Sequence, residues 1–463
     1  MYQIDFSNPV HVFFSGIGGI SMSGLAKILM SRGFKVSGSD RTASALTEML
    51  QGEGARVIIG QKAENITPDI DLVVFTAAIH PDNPEYIRTA ELGIPSLTRA
   101  QLLGQIMKGY HLPVAVSGTH GKTTTTSMLS EILIGADTDP TLSIGGVLPS
   151  IGGNVRVGGS DYFVAEACEY TNSFLDMYPG IGIILNIDAD HLDFFKDLAD
   201  IRHSFKRFAG LIPEDGCLII SDAIPDPEEI TDSLSCRVIR FGSDPSSDYR
   251  PEDISYDGNA HASYTLRANC GGAWDGLRIK LGVPGSHNVY NSLAALAAAS
   301  VLGISPDKAA SALEGFTGTV RRFEYKGTLN GVKIIDDYAH HPTEIAATLA
   351  AAANMPHEAI RCIFQSHTYT RTKALLDDFG RALSAADQVI VAEIYPARET
   401  DTLGMSAKVL ADKINECGGN AIAPGSFEDI KKYVLENCRK GDVLITMGAG
   451  NVVDIADDLL SGR

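Results

Sequence analysis

The segment Ala115–Thr126, AVSGTHGKTTTT, combines residue types that could bind a phosphate group. It overlaps the end of an apolar run, Pro113–Gly118, that we predict to be a strand, and a helical pattern follows it. A strand, a glycine turn and a helix would bring unpaired backbone N–H groups and the positive end of the helix dipole to one place. Lys122 would add a cation for the outer phosphates, and Thr123 a hydroxyl for Mg²⁺. The alternative is a glycine-containing turn with an incidental lysine and threonine.

This loop differs from the usual Walker loop, because Val116 stands where a glycine is expected five residues before Gly121. The tighter form G-T-H-G-K-T resembles the Mur ligases, the ATP-dependent enzymes that add amino acids to the muramoyl precursor of bacterial cell walls. The resemblance implies that the ATP-binding residues are Gly118, Thr119, His120, Gly121, Lys122, Thr123 and Thr124.

Motifs far from the loop extend this resemblance. Glu166 in EACEYTNSF and His191 in LNIDADHLDFF match positions that hold magnesium in Mur ligases, with Thr123 as a further ligand. Magnesium prefers oxygen ligands, so the role of His191 rests on the resemblance alone, and without it His191 is a solvated loop histidine. Asn288 and Asn291 in SHNVYN match residues that face adenine, although this segment also suits a helix N-cap.

The segments VRRFE and DDYAHHPTEI continue the family order. The resemblance implies that Arg322 contacts the ATP phosphates, Asp337 the ribose and Tyr338 the base, whereas the alternative is a buried Arg–Asp pair. It also implies that His341 and Arg371 bind the amino acid. The predicted catalytic residues are therefore Lys122, Glu166, His191, Arg322 and His341.

The N-terminal segments GIGGISMSGLA and SGSD resemble the nucleotide-sugar loop of the family member that adds L-alanine to UDP-N-acetylmuramate. As a G-x-G-x-x-G fingerprint the first segment fails at Ser21, which weakens the case for NAD. Asp40 nevertheless lies 22 residues beyond Gly18, where it could contact a ribose, so spacing alone leaves a dinucleotide open. The implied sugar-nucleotide contacts are Gly16, Gly18, Gly19, Met22, Ser23 and Asp40.

Some positions depart from the family pattern. Ser366 replaces a usual proline, and Thr368 replaces an arginine that helps to hold the amino-acid carboxylate in many members. Arg371 remains. Ala339 replaces a common glycine and Cys168 an acidic residue, but neither change removes a predicted ligand. The base for the incoming amine is left open among His340, His341 and His367, as is any role of Lys206 as a carbamylated lysine.

Alternating apolar runs and amphipathic segments predict an α/β protein with parallel sheets in three domains. We expect a Rossmann-like UDP-sugar domain over 1–110, a P-loop ATPase-like ATP-binding domain over 111–318, and a Rossmann-like C-terminal domain over 319–463 that contacts the amino acid and the nucleotide. The region Cys217–Leu281 reads as an antiparallel addition to the central domain.

Composition sets further limits on the 463-residue chain. A formal charge of −19 argues against nucleic acid as a partner. There is no run of about 18 apolar residues and no charged secretory signal, and the cysteines are scattered. We therefore expect a cytoplasmic protein without membrane insertion, either a monomer or a homodimer.

The resemblance to the Mur ligases implies ATP-dependent ligation of L-alanine to the lactoyl carboxylate of UDP-N-acetylmuramate, through an acyl phosphate and with Mg²⁺. The nearest alternative is a recycling ligase that joins a whole tripeptide to the same nucleotide sugar. Alternatives from other classes are an NAD-dependent oxidoreductase built on the N-terminal glycine loop and a non-catalytic binding module.

Overall fold

The structure is a computed structural model that describes residues 2–192, 194–269, 271–397, 399–400 and 403–462. The chain forms two compact units. The first comprises the residues up to 250 together with 267–275 and 292–312, and the second comprises 251–266, 276–291 and the residues from 313 onward.

The first unit begins with a parallel five-stranded sheet in the order β3-β2-β1-β4-β5. All five residues of its central strand are buried, and the consecutive Phe13 and Phe14 pack into separate apolar clusters because successive side chains point to opposite faces. The strands are β1 (His11–Ser15), β2 (Lys35–Asp40), β3 (Arg56–Ile59), β4 (Leu72–Phe75) and β5 (Ser96–Thr98), and the helices are α1 (Ile20–Ser31), α2 (Ala45–Gly52), α3 (Pro84–Glu91) and α4 (Arg99–Met107).

A second sheet of the first unit has the strand order β13-β12-β11-β10-β6-β9-β7-β8. Its strands are β6 (Leu112–Ser117), β7 (Thr141–Leu148), β8 (Gly153–Arg156), β9 (Tyr162–Glu166), β10 (Ile181–Ile184), β11 (Cys217–Ser221), β12 (Arg237–Phe241) and β13 (Tyr249–Tyr256), of which β13 runs on into the second unit. The helices here are α5 (Lys122–Gly135), α6 (Leu198–Ala209) and α7 (Glu228–Thr231), and a 3₁₀ segment spans Tyr170–Asp176.

The predicted antiparallel addition over Cys217–Leu281 is wrong in its first part. Strands β11 and β12 pair in parallel with their neighbours and extend the second sheet. Parallel pairing requires crossover connections, and these are supplied by α6 and by the single turn of α7, which is too short to produce a visible sequence pattern. The antiparallel part is the hairpin of β14 (His261–Ala268) and β15 (Arg278–Pro284). Helices α8 (His287–Val301) and α9 (Pro306–Gly315) follow.

The second unit contains a six-stranded sheet in the order β16-β17-β21-β18-β19-β20, in which the pair β16–β17 is antiparallel and the other pairs are parallel. One helix of this unit starts at Pro342 and another at Tyr369, where the Thr368 hydroxyl accepts a hydrogen bond from the Arg371 N–H. The strands are β16 (Glu324–Leu329), β17 (Val332–Asp337), β18 (Ile360–His367), β19 (Gln388–Tyr395), β20 (Ala421–Ile422) and β21 (Val443–Met447), and the helices are α10 (Pro342–Ala353), α11 (Tyr369–Ala374), α12 (Leu376–Leu383), α13 (Ala407–Glu416), α14 (Phe427–Asn437) and α15 (Val453–Ser461).

The parallel strands of each sheet bring their carboxyl ends to one edge, where ligands of open α/β sheets bind. Both glycine-rich segments of the first unit lie at such edges, one after β1 and the other after β6. Within the part of the chain that the structure describes, no helix has both the length and the apolar character needed to cross a bilayer.

Helix α4 packs against the 3₁₀ segment so closely that one position requires glycine. A Cβ atom added to Gly104 would lie 1.8 Å from the Asp176 carbonyl oxygen, which is backbone and cannot move aside cheaply. We predict that Gly104→Ala lowers the free energy of unfolding by about 2 kcal/mol or more, measured as a lower midpoint in thermal or urea unfolding.

The matched control is Gly52→Ala, because Gly52 ends α2 and a Cβ there meets nothing within 4 Å. That variant should be neutral or more stable by up to about 1 kcal/mol. Equal midpoints for the two variants would contradict the tight packing of α4.

Candidate active site

The phosphate loop connects β6 to α5 and depends on two glycines. Gly118 has φ of +138° and Gly121 has φ of +83°, both values that side chains other than glycine strongly disfavour. A Cβ at Gly118 would also lie 2.9 Å from the Leu185 Cβ on the neighbouring segment. Gly121 is the N-cap of α5, so the first N–H groups of this helix lack helical partners and point towards the loop. The predicted strand, turn and helix are therefore present.

A residue after the neighbouring strand β10 braces this loop. The Asn186 side chain accepts a hydrogen bond from the His120 N–H at 2.8 Å and donates to the His120 carbonyl oxygen at 3.0 Å. The Thr119 hydroxyl in turn accepts from the Asp188 N–H at 2.9 Å. Sequence reasoning missed Asn186, although a polar residue at the carboxyl end of a buried strand was the available signal.

The Lys122 ammonium is folded back onto the loop and is paired with a buried carboxylate. It donates to the Gly118 and Thr119 carbonyl oxygens and lies 2.9 and 3.2 Å from the two carboxylate oxygens of Glu169. The Lys122 side chain is 12% exposed and that of Glu169 is 2% exposed. Burial is the largest single effect and lowers the pKa of Lys122, but the charges of Glu169, Cys168 and Glu166 and the hydrogen bond to Glu169 together raise it above its usual value. Glu169, which the sequence analysis did not assign, is the largest of these contributions that keep Lys122 charged.

The Glu166 carboxylate lies beside the start of α5. One of its oxygens, Oε2, accepts hydrogen bonds from the Thr123 hydroxyl at 2.8 Å and from the Gly145 N–H at 3.0 Å. Gly145 is a further position that the sequence analysis missed, and a Cβ there would lie 2.2 Å from that oxygen. Glu166 is therefore fixed next to the threonine that was predicted to share a metal ion with it.

These two oxygen donors fit magnesium, which keeps several waters and is commonly held by one or two protein oxygens together with substrate phosphates. The third predicted ligand, His191, lies beside Glu169: its Nε2 is 3.8 Å from the nearer oxygen of that residue, and its ring is 4.6 Å from the Tyr170 ring. Within the described ranges no group of three His, Cys, Asp or Glu side chains is arranged to hold a metal ion. The fit rests on the hydroxyl of Thr123 and the carboxylate of Glu166.

The N-terminal glycine loop lies between β1 and α1. The Gly16 and Ile17 N–H groups donate to the Ser39 carbonyl oxygen at 2.8 and 2.9 Å, and Gly16 has φ of +87°. The Gly18 N–H donates to Asp40 Oδ2 at 2.9 Å, and a Cβ at Gly18 would lie 2.8 Å from that oxygen. Asp40 therefore holds the loop itself, which weakens the reading of this acid as the ribose ligand of a dinucleotide.

Other predicted sugar-nucleotide residues lie in the first turns of α1. Gly19 is its N-cap, and the Ser23 N–H already donates to the Gly19 carbonyl oxygen at 2.9 Å. The side chains of Met22 and Ser23 are buried, and the Ser23 hydroxyl donates to the Ile20 carbonyl oxygen. A ligand anion at this helix end would therefore meet mainly backbone N–H groups.

In the second unit, the two predicted adenine-facing amides bond to each other. The Asn291 side chain donates to the Asn288 side chain at 3.0 Å, and Asn288 donates to the Pro284 carbonyl oxygen at 2.7 Å. Both side chains belong to the first turns of α8 and are largely buried. The neighbouring His287 is also buried, which lowers its pKa to about 4, so its ring is neutral at pH 7.

The second unit contains an Arg–Asp pair with a fully buried carboxylate, but it is formed by Arg321 and Asp336 and not by Arg322 and Asp337. Arg321 Nε lies 3.0 Å from Asp336 Oδ2, whereas Asp337 accepts hydrogen bonds from the Phe323 N–H, the Ala339 N–H and the Thr348 hydroxyl. Burial raises the pKa of Asp337 to about 6, although the nearby positive charge of Arg322 opposes this shift. The Arg322 guanidinium carbon lies 5.1 Å from the centre of the Tyr338 ring, so Arg322, Asp337 and Tyr338 are neighbours.

The three histidines considered as the amine base have different surroundings. His341 is the N-cap of α10, where its Nδ1 accepts from the Thr343 N–H at 3.3 Å. The His340 Nδ1 lies 3.1 Å from the Tyr338 carbonyl oxygen. Burial, and then the charge of Arg371, lowers the pKa of His367, whose ring is 5.7 Å from that of Tyr395. Because the charge of Arg371 acts on His367, this candidate base and the predicted ligand of the amino-acid carboxylate lie near each other.

Three family models match successive parts of the chain. The model described as "Mur ligase family, catalytic domain" matches residues 11–111, "Mur ligase middle domain" matches 116–299, and "Mur ligase, glutamate ligase domain" matches 321–450.

Curated relatives are similar over almost the full length. The chain is 59% identical to the UDP-N-acetylmuramate–L-alanine ligase of Lachnospira eligens, covering 99% of this chain and 100% of that protein. It is 48% identical to the enzyme of the same name from Caldanaerobacter subterraneus, covering 99% of each.

Solved structures of two ligases are similar to this chain over almost its full length. The UDP-N-acetylmuramate–alanine ligase of Thermotoga maritima superposes with a TM-score of 0.81 at 29% identity, and the murein peptide ligase of Psychrobacter arcticus with a TM-score of 0.73 at 27% identity, each covering 98% of both chains.

These matches and the three sheets confirm the predicted α/β class, with an N-terminal Rossmann-like domain, a central ATPase-like domain with added antiparallel strands and a C-terminal Rossmann-like domain. The chain belongs to the Mur ligase family.

Proposed function

We propose that this chain is an ATP-dependent ligase that joins L-alanine to the lactoyl carboxylate of UDP-N-acetylmuramate and forms ADP and phosphate. The observation that carries the proposal is the phosphate loop, in which the charged Lys122 and the Thr123–Glu166 pair lie together at the start of α5. The proposed substrates are those of relatives named UDP-N-acetylmuramate–L-alanine ligase, which are up to 59% identical over nearly the whole chain.

The chemistry explains why a triphosphate is needed. A carboxylate is a poor electrophile, so it must first acquire a leaving group. A lactoyl carboxylate oxygen attacks the γ-phosphorus and the bond to the β–γ bridging oxygen breaks, which gives ADP and an acyl phosphate. The alanine amine then attacks the acyl carbon, the new C–N bond forms, phosphate leaves and the amine nitrogen loses a proton. Both steps require positioned anions and neutralised charge.

In the first unit, the phosphate loop would supply that neutralisation. Its N–H groups at the start of α5 and the Lys122 ammonium would bind the outer phosphates. The surrounding negative charges, of which Glu169 is the strongest, raise the pKa of Lys122, so an incoming phosphate would meet a protonated donor at neutral pH. A bound Mg²⁺ would neutralise further phosphate charge, held by Thr123 and Glu166, with His191 proposed as a ligand on the resemblance alone.

The N-terminal glycine loop would bind the diphosphate of the nucleotide sugar. The backbone N–H groups at the start of α1 are the donors, and Asp40 keeps the loop in shape through Gly18. The oxidoreductase alternative is not favoured, because this acid is engaged with the loop and the relatives are ligases. The tripeptide ligase alternative is not favoured either, since the curated relatives carry the alanine-adding name.

For the second unit the proposed roles rest on the resemblance. Arg322 would contact ATP phosphates, Asp337 the ribose and Tyr338 the base. Arg371 would hold the alanine carboxylate, and because Thr368 replaces a second arginine, that contact carries more of the amino-acid affinity here. The further proposed contacts are Asn288 and Asn291 for adenine and His341 for the amino acid.

We also propose that the enzyme works in the cytoplasm, as a monomer or a homodimer. The six described cysteines, at positions 168, 217, 236, 362, 417 and 438, are free thiols, which is the usual state in a reducing compartment.

The substrate assignment predicts a selective release of phosphate. With ATP, Mg²⁺ and UDP-N-acetylmuramate, L-alanine should stimulate phosphate release strongly, and the tripeptide L-alanyl-γ-D-glutamyl-diaminopimelate should not. A colorimetric phosphate assay with mass detection of the product tests this. Stimulation by the tripeptide alone would assign the chain to the recycling alternative, and no stimulation by either would refute a ligase.

The role of Lys122 predicts that Lys122→Ala lowers kcat for phosphate release by two to three orders of magnitude, about the effect of removing one charged donor from a transition state. The variant leaves Glu169 buried without its cation, so its folding must be checked by circular dichroism. Lys308→Ala is the matched control, because Lys308 is half-exposed and pairs with the exposed Asp137. Near-normal turnover of folded Lys122→Ala would remove the loop from the mechanism.

The role of Glu166 predicts a changed metal requirement. Glu166→Gln should raise the Mg²⁺ concentration for half-maximal phosphate release at least about tenfold, because a neutral amide is a weaker ligand than a carboxylate. Glu131→Gln serves as the control, since Glu131 lies on α5, the helix that carries Thr123, and accepts a hydrogen bond from the Ser150 hydroxyl. An unchanged Mg²⁺ dependence in Glu166→Gln would exclude this carboxylate as a metal ligand.

A further inference from the structure

One buried amide in the first unit contacts the start of α1 and the residue before Gly145, the glycine that binds Glu166. Asn154 lies in β8 and is 6% exposed. Its Nδ2 donates to the Ile20 carbonyl oxygen at 3.0 Å and to the Ile144 carbonyl oxygen at 3.4 Å. These two carbonyls belong to segments 124 residues apart in the chain, and a single side chain links them.

The first contact fixes the anion-binding end of α1. Ile20 is the first residue of the helix, and its carbonyl group shares a rigid peptide plane with the Ser21 N–H. That N–H is one of the groups at the helix start that lack a helical acceptor. Holding the Ile20 carbonyl oxygen therefore holds the direction of a donor that would meet the nucleotide-sugar diphosphate.

The second contact fixes the carboxylate beside the phosphate loop. Ile144 is followed by Gly145, whose N–H donates to Glu166 Oε2 at 3.0 Å. The Ile144 carbonyl and the Gly145 N–H again form one peptide plane. Holding that carbonyl oxygen thus orients the N–H that positions Glu166.

Close packing leaves little freedom between these segments. A Cβ atom added to Gly24 of α1 would lie 2.1 Å from the Val155 Cγ2 atom, directly after Asn154 in β8. Strand β8 pairs with β7, the strand that carries Ile144 and Gly145. A displacement of α1 would therefore be transmitted to β7 through β8 rather than absorbed by a void.

We propose that Asn154 is a positioning residue that couples binding at the N-terminal glycine loop to the geometry of Glu166 at the phosphate loop. The coupling rests on the proposed function, because it assumes a nucleotide sugar at the first loop and a metal–triphosphate at the second. Occupation of the first loop fixes the direction of the Ser21 N–H, Asn154 transmits this constraint to the Ile144–Gly145 peptide, and the Gly145 N–H keeps Glu166 Oε2 in position.

The test measures the affinity of the full-length protein for a non-hydrolysable ATP analogue with Mg²⁺ by calorimetry, with and without saturating UDP-N-acetylmuramate. In the unsubstituted protein the nucleotide sugar should tighten analogue binding at least about fivefold, and the effect must be reciprocal. Asn154→Leu removes both donors at similar volume, and the tightening should fall below about twofold. Asn154→Asp keeps the shape but offers acceptors to both carbonyls, and it should lose the tightening as well.

Asn415→Leu is the matched control. The Asn415 side chain forms two hydrogen bonds with the backbone of Ala421 in the second unit. Asn415→Leu therefore shows what the loss of a bridging amide costs in stability, and the nucleotide sugar should still tighten analogue binding in this variant. Normal tightening in folded Asn154→Leu or Asn154→Asp would overturn the inference, as would its absence in the unsubstituted protein. Alanine-dependent phosphate release in the same preparation distinguishes these outcomes from failure of the proposed function.

Discussion

The ion pair between Lys122 and Glu169 is the interaction on which the phosphate loop depends. Two buried charges are stable only when each has a partner, and removal of one typically costs about 3 to 5 kcal/mol. Here the ammonium also donates to the loop's own carbonyl groups, at Gly118 and Thr119, so the pair holds the turn as well as the charge. A phosphate that binds this loop must therefore compete with Glu169 and the carbonyls for the same ammonium, which favours a ligand with several negative charges.

A second constraint is common to both glycine loops of the first unit. A helix start that binds an anion must leave its N–H groups unpaired, so something else must hold the preceding loop. In the N-terminal loop that support is the Asp40 carboxylate on the Gly18 N–H, and in the phosphate loop it is the Asn186 amide on both sides of His120. Each supporting side chain lies at or just after the carboxyl end of a neighbouring strand, β2 or β10, and not in the loop itself.

This dependence on neighbouring strands decides what the sequence could predict. The phosphate loop was predictable because its glycines, lysine and threonine lie within a few residues of one another. Glu169 was not, although it lies in the same quoted segment as Glu166, because its position depends on the chain after β9. Glu169 immediately precedes a turn in which Thr171 and Asn172 both have left-handed backbones. Neither residue type predicts such a turn on its own.

The prediction of strands from the sequence was limited in the same way, because it fails where the structure depends on distant segments. The strand before the phosphate loop, β6, was predicted to within one residue, since burial on both faces gives a continuous apolar run. The direction of β11 and β12 was missed because it depends on connections, one of which is a single helical turn. Likewise, the spacing of Asp40 would be the same for a ribose ligand and for a loop brace, and only its hydrogen bond to Gly18 separates the two.

Two adjacent arginines in the second unit, Arg321 and Arg322, carry the same charge but contact different groups. The segments VRRFE and DDY contain two cations and two carboxylates. From the sequence alone, either arginine could pair with either carboxylate. The backbone separates them, since Arg321 has φ of +63° and its guanidinium donates to Asp336 and to the Gly448 and Gly450 carbonyl oxygens. The charge of Arg321 is thereby committed to holding the loop after β21.

Arg322 has a different setting, in which its charge acts on Asp337. That carboxyl group already receives three hydrogen bonds, yet burial still raises its pKa to about 6. The hydrogen bonds to Asp337 come from Phe323, Ala339 and Thr348, so Arg322 is less committed to Asp337 than Arg321 is to Asp336. An anionic ligand in this region would therefore be attracted to Arg322, because a fully hydrogen-bonded ion pair offers little net charge to a third partner.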